Sequence, residues 1–277
     1  MKRACVIGWP IEHSRSPLIH GHWLKCYGID GSYTKVAVHP DEAEAFLRGL
    51  AENDFAGCNV TVPLKELAFA VADHREPEAV AVGAANTVWL EGGKIHATNT
   101  DTYGFMKHLE AQAPGWNQIG KSVAILGAGG AARAICYGFQ QAGVDDIVVL
   151  NRTYERSQKL AADLPAGSVR AADWDERINC AEWASVIVNT TTLGMTGEGE
   201  LGLDFSSASK DCVVADIVYV PLQTALLRQA EAHGLRTVDG LGMLLHQAVP
   251  GFERWFGVRP QVTPELRRLV LVDLGAV

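Results

Sequence analysis

The 277-residue sequence predicts an α/β fold arranged as two domains. Short runs rich in β-branched residues alternate with longer stretches of helical periodicity, a pattern typical of strands joined by helices. A break at 113–117, which reads Ala-Pro-Gly-Trp-Asn, separates two such series. The length also exceeds the roughly 100 to 200 residues of a single domain. We therefore place a domain boundary at about 100–120.

The first series predicts a parallel sheet followed by a hairpin. Its runs at 86–90 and 94–97 are separated by Glu91-Gly92-Gly93, and a short turn containing glycine between two such runs is typical of a β-hairpin. The other predicted elements are strands at 5–7, 33–38 and 57–60, helices over 17–27 and 41–52, a helix that begins near Pro63, and a helix over 101–112.

The second series predicts a nucleotide-binding sheet, and two helices follow it. Thr263 provides an N-cap for the last helix, and Pro264 suits its first position. The predicted elements are strands at 122–126, 146–150, 186–189, 212–216 and 236–238, helices over 130–142 and 153–163, and tail helices over 241–256 and 263–273.

Composition and charge exclude several classes of function. The chain carries 24 Lys and Arg against 32 Asp and Glu, and the resulting net charge of −8 repels nucleic acid and anionic membrane surfaces. No run approaches the ~18 apolar residues of a membrane span, and the N-terminal apolar run is too short for a signal peptide. We therefore expect a cytoplasmic protein that binds a small molecule. A homodimer is one assembly that the sequence leaves open.

The histidines and cysteines do not predict a metal site. His13, His20 and His22 form the densest histidine group, but they lack a convincing set of ligands. We interpret them as residues of a helix start and of the surface. The six cysteines are scattered without a C-x-x-C pair, which is typical of reduced, mostly buried thiols.

A glycine-rich turn after the predicted strand 122–126 indicates a dinucleotide site. Residues 127–132 read Gly-Ala-Gly-Gly-Ala-Ala, which matches G-x-G-x-x-(G/A). Gly127 allows the tight turn, Gly129 lets the backbone approach a pyrophosphate, and Ala132 permits close packing of helix on strand. The start of the following helix supplies free N–H donors. The alternative is an ordinary glycine-rich turn between a strand and a helix.

The end of the next predicted strand favours NADP over NAD. An NAD site places an acidic residue there to bind the ribose 2′-hydroxyl, whereas this strand is followed by Asn151 and Arg152. Arg152 and Arg156 lie four residues apart, so they converge on one face if the helix starts at 153. Two guanidinium groups at a helix start suit a 2′-phosphate. The alternative is that both arginines are solvated and that Glu155 partly neutralises them.

Polar clusters in the first half lie just past predicted strands or at strand starts, at 13–17, 57–66 and 84–87. Ligands of α/β sheets bind at the carboxyl ends of strands, so these clusters suit a polyhydroxylated small molecule. Each cluster also has a purely structural interpretation. Ser16 could be an N-cap, Asn86 a turn residue, and Lys65 a solvated charge at a helix start.

Short motifs recur in a fixed order through the whole chain. In order they are G-x-P-I-x-H-S-x-S-P at 8–17, N-V-T-V-P-x-K-E at 59–66, G-A-x-N-T at 83–87, N-T-D at 99–101, the glycine-rich turn at 127–132, N-R-T-x-x-R at 151–156, D-x-x-Y-x-P at 216–221, and G-L-G-M-L-L-x-Q-A at 240–248.

This series of motifs resembles the shikimate dehydrogenase family. One departure is the stretch Thr-Thr-Thr-Leu-Gly-Met at 190–195, where an N-A-T-S-x-G-M pattern is commoner. This departure does not change the expected type of reaction, but it makes the sequence a poorer guide to the preference among similar substrates. The resemblance implies a substrate domain at 1–101 plus about 241–277, a Rossmann-type NADP domain at 102–240, and a cleft between them. The activity it implies is the reversible NADPH-dependent reduction of 3-dehydroshikimate to shikimate.

The resemblance also implies roles for individual residues. Lys65 and Asp101 would be the catalytic pair, and the sequence does not show which of them carries the proton. The substrate's hydroxyls and carboxylate would contact Ser14, Ser16, Thr61, Lys65, Asn86, Asp101, Tyr219 and Gln247. NADP would contact Gly127, Ala128, Gly129, Gly130, Ala131, Asn151, Arg152, Thr153, Arg156, Ile217 and Gly240.

Two alternatives share most of these motifs. The first is a quinate/shikimate dehydrogenase that uses NAD, against which Arg152 and Arg156 argue. The second is a non-catalytic sensor of metabolites of the same pathway. The presence of Lys65, Asp101 and every glycine of the dinucleotide motif argues against a sensor, and the chain has no DNA-binding segment or basic tail.

Overall fold

A computed structural model describes residues 1–118, 120, 122–164, 167–195 and 199–276. The chain divides into two compact units, each with its own six-stranded sheet. The first unit comprises Met1–Asp101 and Leu245–Gly275, and the second comprises Thr102–Leu244.

The sheet of the first unit is mixed rather than parallel. Strand β1 pairs in parallel with β2 and β3, whereas β3 with β5 and β5 with β6 are antiparallel. The antiparallel pairs come from the hairpin, so the predicted parallel strands followed by a hairpin are confirmed. The short strand β4, which was not predicted, pairs in parallel with β6. The strand order is β2-β1-β3-β5-β6-β4. The strands are β1 Lys2–Gly8, β2 Gly31–Ala37, β3 Gly57–Val60, β4 His74–Arg75, β5 Thr87–Glu91 and β6 Lys94–Thr98.

Helices pack against this sheet, and the apolar residues between sheet and helices are buried. They are α1 Ser16–Cys26, α2 Ala43–Arg48, α3 Lys65–Val71 and α4 Pro77–Val82, together with α9 Leu241–Phe256 and α10 Pro264–Asp273, which come late in the chain. Helix α5, Asp101–Gln112, begins at the last residue of the first N-terminal segment.

Close packing at Gly57 ties the end of α9 to the middle of the sheet. A Cβ at Gly57 would lie 2.2 Å from the carbonyl oxygen of Val88 and 2.3 Å from Nε1 of Trp255. Trp255 Nε1 donates a hydrogen bond of 3.0 Å to that same carbonyl. Only glycine fits here, because interiors are packed too tightly to absorb an added methyl group.

An aromatic cluster fills the space between α1, β2 and α9. The His20 ring is fully buried and stacks on Tyr33, with ring centroids 3.9 Å apart. Trp23, Phe252 and Trp255 surround it. The surface position predicted for His20 is therefore wrong. The buried face of α1 consists of Ser16, Ile19, His20, Trp23 and Leu24, and this helical spacing was present in the sequence.

The second unit has a fully parallel sheet in the order β12-β11-β10-β7-β8-β9. It follows the predicted nucleotide-binding pattern and adds β9 and a 3-10 segment at Trp174–Glu182, which were not predicted individually. The strands are β7 Ser122–Leu126, β8 Asp146–Leu150, β9 Val169–Ala172, β10 Val186–Asn189, β11 Val213–Asp216 and β12 Arg236–Val238. The helices are α6 Gly130–Gln141, α7 Tyr154–Asp163 and α8 Ala225–Ala232.

All six cysteines are free thiols, and only Cys26 is exposed. Among the helices of the described residues, none has both the length and the apolar composition needed to cross a membrane.

Candidate active site

The Lys65–Asp101 ion pair is the centre of the polar site in the first unit. Lys65 begins α3, just after the turn that follows β3, and Asp101 begins α5. Lys65 Nζ lies 2.8 Å from Asp101 Oδ2. The side chains are 30% and 15% exposed, so the ammonium group is held in place yet remains accessible to a small molecule. The carboxylate also benefits from the positive end of the α5 dipole.

Asn86 holds the other oxygen of this carboxylate. Its Nδ2 donates a hydrogen bond of 2.8 Å to Asp101 Oδ1. Its own Oδ1 accepts hydrogen bonds from the backbone N–H of Thr100 at 2.8 Å and from Thr87 Oγ1 at 3.0 Å. Asn86 is therefore fixed on both sides and is more than a turn residue. The carboxylate of Asp101 in turn has a partner on each oxygen.

Asn59 stabilises this network through hydrogen bonds to Asn86 and Thr87. Asn59 was not named as a site residue from the sequence. Its Oδ1 accepts a hydrogen bond of 2.6 Å from the Tyr33 hydroxyl. Its Nδ2 donates to the Asn86 carbonyl and to Thr87 Oγ1, both at 3.1 Å. The only available signal was its place in the motif at 59–66, because its partners lie 26 to 28 residues away along the chain.

The two serines lie together at the start of α1. Ser14 Oγ accepts a hydrogen bond of 3.3 Å from the backbone N–H of Ser16. Ser16 is the first residue of α1, and the N-cap position belongs to Arg15, so Ser16 is not a helix cap. Arg15 fixes the turn, since its Nε pairs with Asp273 Oδ2 at 3.0 Å and its Nη1 donates to the His13 carbonyl at 2.7 Å.

The remaining predicted substrate residues, Thr61, Gln247 and Tyr219, lie on three different segments of the chain. Thr61 follows β3 directly, and its backbone N–H donates to the Ile7 carbonyl at 2.9 Å. Gln247 lies in α9, and its Oε1 accepts from Thr100 Oγ1 at 3.5 Å, which places it near the Asn86 network. Tyr219 belongs to the second unit, in the loop after β11.

The glycine-rich turn in the second unit has the geometry of a dinucleotide site. Gly127 has a φ of +110°, a conformation that favours glycine, and a Cβ there would lie 2.7 Å from Thr190 Oγ1. Gly129 is the N-cap of α6. Added Cβ atoms at Gly129 and Gly130 would meet no atom within 4 Å, so the helix start is open to a ligand. An open helix N-terminus suits the pyrophosphate of NADP.

The structure corrects the predicted placement of the two arginines. Helix α7 begins at Tyr154 with Thr153 as its N-cap, so Arg152 precedes the helix and shares no helical face with Arg156. Both side chains are exposed, and within the described part of the chain neither guanidinium group has a hydrogen bond or an ion pair. Free guanidinium groups suit a phosphate.

A surface pocket adjoins Arg152. The side chain of Asn151, which lines this pocket, donates a hydrogen bond of 2.8 Å to the Thr153 carbonyl. The pocket is lined by Asn151, Arg152, Tyr154, Asp173, Trp174, Asp175 and Glu176. Tyr154 and Trp174 offer aromatic surface for a flat ring, and Arg152 provides the positive charge that a 2′-phosphate requires.

Ile217 and Gly240, the last two predicted cofactor residues, lie against each other. A Cβ at Gly240 would approach the Ile217 carbonyl oxygen to 2.3 Å. Ile217 is anchored at the end of β11 by a hydrogen bond of 3.1 Å from its N–H to the Asn189 carbonyl. The predicted cofactor residues of the second unit thus lie around the carboxyl ends of its strands, where ligands of parallel sheets bind.

Comparison with known proteins gives three matches to family models along the chain. They are the shikimate dehydrogenase substrate binding domain over residues 6–88, shikimate / quinate 5-dehydrogenase over 110–196, and the shikimate 5'-dehydrogenase C-terminal domain over 240–264. Curated relatives named shikimate dehydrogenase (NADP(+)) include one from Azorhizobium caulinodans, 53% identical and covering 100% of this chain and 98% of that protein. Another, from Brucella canis, is 54% identical and covers 99% of this chain and 95% of that protein.

Solved structures of a shikimate dehydrogenase and of a quinate dehydrogenase also match this chain over almost its whole length. Shikimate 5-dehydrogenase from Thermus thermophilus, in complex with NADP(H) and shikimate, matches with a TM-score of 0.84 and 33% identity over 99% of this chain and 100% of that one. Quinate dehydrogenase from Corynebacterium glutamicum, in complex with NAD, matches with a TM-score of 0.89 and 29% identity over 98% and 99% of the two chains. The resemblance predicted from the motifs is confirmed: the chain belongs to the shikimate dehydrogenase family.

Proposed function

We propose that this chain catalyses the reversible reduction of 3-dehydroshikimate to shikimate with NADPH. The observation that carries the proposal is the ion pair of 2.8 Å between Lys65 Nζ and Asp101 Oδ2. It lies among hydroxyl and amide side chains in the first unit, while the second unit has an open dinucleotide turn. Relatives named shikimate dehydrogenase (NADP(+)), 53% and 54% identical, support the assignment.

The pair suits proton transfer to a ketone oxygen. NADPH, when bound, supplies the hydride that adds to the carbonyl carbon. Negative charge then develops on the carbonyl oxygen, and a positioned ammonium group lowers the barrier by stabilising that charge. Lys65 Nζ holds a proton that can pass to this oxygen, and Asp101 Oδ2 orients the ammonium group by accepting its hydrogen bond. In the reverse direction the pair receives the proton from the shikimate hydroxyl.

The substrate is bound, in this proposal, by side chains on several elements. Ser14 and Ser16 present hydroxyls at the start of α1, and Asn86 presents an amide beside Asp101. Thr61, Gln247 and Tyr219 complete the set that contacts the hydroxyl and carboxylate groups. Hydroxyl and amide side chains of fixed orientation provide the directional hydrogen bonds that a polyhydroxylated ring requires.

The cofactor in this proposal is NADP rather than NAD. Gly127 through Ala131 receive the pyrophosphate, and Asn151, Arg152, Thr153 and Arg156 receive the 2′-phosphate end. Ile217 and Gly240 border the site at the ends of β11 and β12. Arg152 determines the preference for NADP over NAD, because its free guanidinium group would bind a phosphate that NAD lacks.

A direct assay tests the proposal. The purified chain should oxidise NADPH only when 3-dehydroshikimate is added, and Lys65→Ala should slow this reaction by about 10²- to 10⁴-fold. NADPH oxidation without the ketone, or activity unchanged in Lys65→Ala, would contradict it. A cytoplasmic location stays a prediction from the sequence, and cell fractionation tests it. A homodimer stays one assembly that the sequence leaves open, and light scattering of the purified protein tests it.

A further inference from the structure

Asp216 is a buried carboxylate that the proposed mechanism does not use. It lies at the end of β11 in the second unit and is 2% exposed. Its Oδ1 accepts hydrogen bonds of 3.0 Å from Asn189 Nδ2 and from the Val218 N–H. Its Oδ2 accepts one of 2.8 Å from Thr224 Oγ1. Burial raises the pKa of this carboxyl to about 6, and the three hydrogen bonds oppose that shift.

These hydrogen bonds tie three separate segments to one side chain. Asn189 ends β10, and its Oδ1 accepts from the N–H of Thr191 at 3.0 Å and from Thr191 Oγ1 at 2.7 Å. Thr224 is the N-cap of α8 and also accepts from the Leu227 N–H. Val218 lies between the two loop residues proposed to contact cofactor and substrate.

The arrangement is unfavourable for stability alone. Within the described residues Asp216 has no cationic partner, and burying a carboxylate without one costs free energy that its three hydrogen bonds with neutral donors oppose. The carboxylate does, however, accept from all three donors at once. An amide at this position would present its own N–H₂ to one of them.

We propose that Asp216 is a positioning residue that fixes the loop carrying Ile217 and Tyr219. The loop leaves β11 at Asp216, is held at Val218 by the carboxylate, and ends near Thr224, which the same carboxylate holds. Gly240 packs against the Ile217 carbonyl, so a shift of this loop also disturbs the last cofactor residue. The inference rests on the proposed function, because that function gives Ile217 and Tyr219 their roles.

The test compares variants that remove hydrogen bonds of Asp216 with variants that keep them. Asp216→Asn removes the charge and one acceptor, and Thr224→Val removes one donor with little change of shape. Thr224→Ser keeps the hydroxyl and is the conservative rescue. Asp204→Asn is the matched control, because Asp204 is an exposed residue of the same unit whose carboxylate accepts a hydrogen bond of 2.8 Å from the N–H of the nearby Ser206. The melting temperature, the NADPH Kd, and kcat and KM for shikimate are measured for each variant.

We expect Asp216→Asn and Thr224→Val to lower kcat/KM for shikimate by about tenfold or more, because small displacements of binding groups have large effects on rate. The NADPH Kd should also rise, because the loop carries Ile217 and packs against Gly240. The rise should be smaller than the loss of kcat/KM, because the glycine-rich turn and Arg152 make no contact with Asp216. Thr224→Ser and Asp204→Asn should behave as wild type.

A folded Asp216→Asn variant with kcat/KM within about twofold of wild type overturns the proposal. If Asp216→Asn does not fold, the comparison of Thr224→Val with Thr224→Ser decides the matter. Equal kcat/KM in those two folded variants overturns the proposal, whatever their melting temperatures. An inactive wild-type enzyme rejects the proposed function instead, so the two failures are distinguishable.

Discussion

Lys65 tests the proposed chemistry at the scale of one residue. Because its ion pair with Asp101 is partly exposed, it contributes at most about 1 kcal/mol to stability. Lys65→Ala should therefore leave the melting temperature nearly unchanged and lower kcat by about 10²- to 10⁴-fold, the usual effect of losing a general acid–base group. The NADPH Kd should be unaffected, since the dinucleotide turn lies in the other unit. Lys94→Ala, at an exposed lysine of the same unit, is the control.

The double variant of Lys65 and Asp101 tests whether the two side chains act as one group. If they do, Lys65→Ala/Asp101→Ala should be little slower than the slower single variant, because removing either partner already disables the pair. Steady-state kcat values of the four proteins form the cycle. Full additivity of the two losses would show that Lys65 and Asp101 act independently.

Arg152 should determine cofactor preference. Arg152→Ala removes the guanidinium group proposed to bind the 2′-phosphate, so it should raise the NADP KM by about tenfold or more while the NAD KM changes little. Arg170→Ala is a suitable control, because Arg170 is an exposed arginine of the same unit that pairs with Asp146. Equal losses with both cofactors would contradict the assignment.

At the scale of elements, the sequence predicted the strands and helices that carry the motifs but missed several short segments. Strand β4 has two residues, too few to show a period, and β9 reads Val-Arg-Ala-Ala without an apolar run. The start of α7 differs by one residue from the prediction, and this difference moves Arg152 from the position directly before the helix to one residue further away. Capping geometry, which decides such boundaries, depends on backbone angles that composition does not show.

The supporting contacts of the site were the least predictable part. Lys65 and Asp101 could be named from motifs, whereas the contacts that orient them depend on strand register. Tyr33 and Asn59 meet only because β2, β1 and β3 are adjacent in the sheet. The burial of His20 was readable from the spacing of apolar residues in α1, but histidine carries no strong preference for either environment.

Gly57 tests the packing that supports β3 and the turn leading to Lys65. Gly57→Ala should lower the melting temperature by several degrees, because its methyl group would overlap the Val88 carbonyl and the Trp255 indole, and overpacking costs about 1–3 kcal/mol or more. Gly21→Ala is the matched control. Gly21 lies in α1 with nothing within 4 Å of an added Cβ, so this change should stabilise the helix slightly.

His20 should make the aromatic cluster sensitive to acid. Burial lowers the pKa of His20 from 6.5 to about 3, so the unfolded chain binds a proton more readily than the folded one between these values. Stability should therefore fall as the pH decreases below 6.5, by up to about 1.4 kcal/mol per pH unit for this group. His20→Phe keeps a ring in the cluster and should reduce the loss of melting temperature between pH 7 and pH 5.

His22→Phe, on the same helix but outside the cluster, is the control for this experiment and should keep the wild-type dependence on pH. Asp216 acts in the opposite sense, since its raised pKa makes stability fall as the pH increases from 3.8 to about 6. Because Asp216 is present in all three proteins, its effect cancels in the comparison. An unchanged pH dependence in His20→Phe would contradict the assigned role of His20.

At the scale of the whole molecule, a net charge of −8 opposes the binding of anionic ligands. Both proposed ligands are anions, so local cationic groups must provide the attraction. Arg152 and Arg156 supply free positive charge in the second unit, whereas the charge of Lys65 in the first unit is balanced by Asp101. Each unit also has its own sheet and its own hydrophobic core. In the proposed function most of the substrate contacts lie in the first unit and the cofactor contacts lie in the second, and Tyr219 of the second unit is the exception among the substrate contacts.

The most direct test of the central claim is a spectrophotometric assay of the purified chain with shikimate or quinate, each combined with NADP or NAD. We predict that shikimate with NADP gives the highest kcat/KM of the four combinations. NAD should be used much less efficiently with either substrate, because Arg152 has no phosphate to bind in that cofactor. Quinate with NAD as the best combination would instead identify the chain as a quinate/shikimate dehydrogenase that uses NAD, and no turnover with any combination would contradict an enzymatic function.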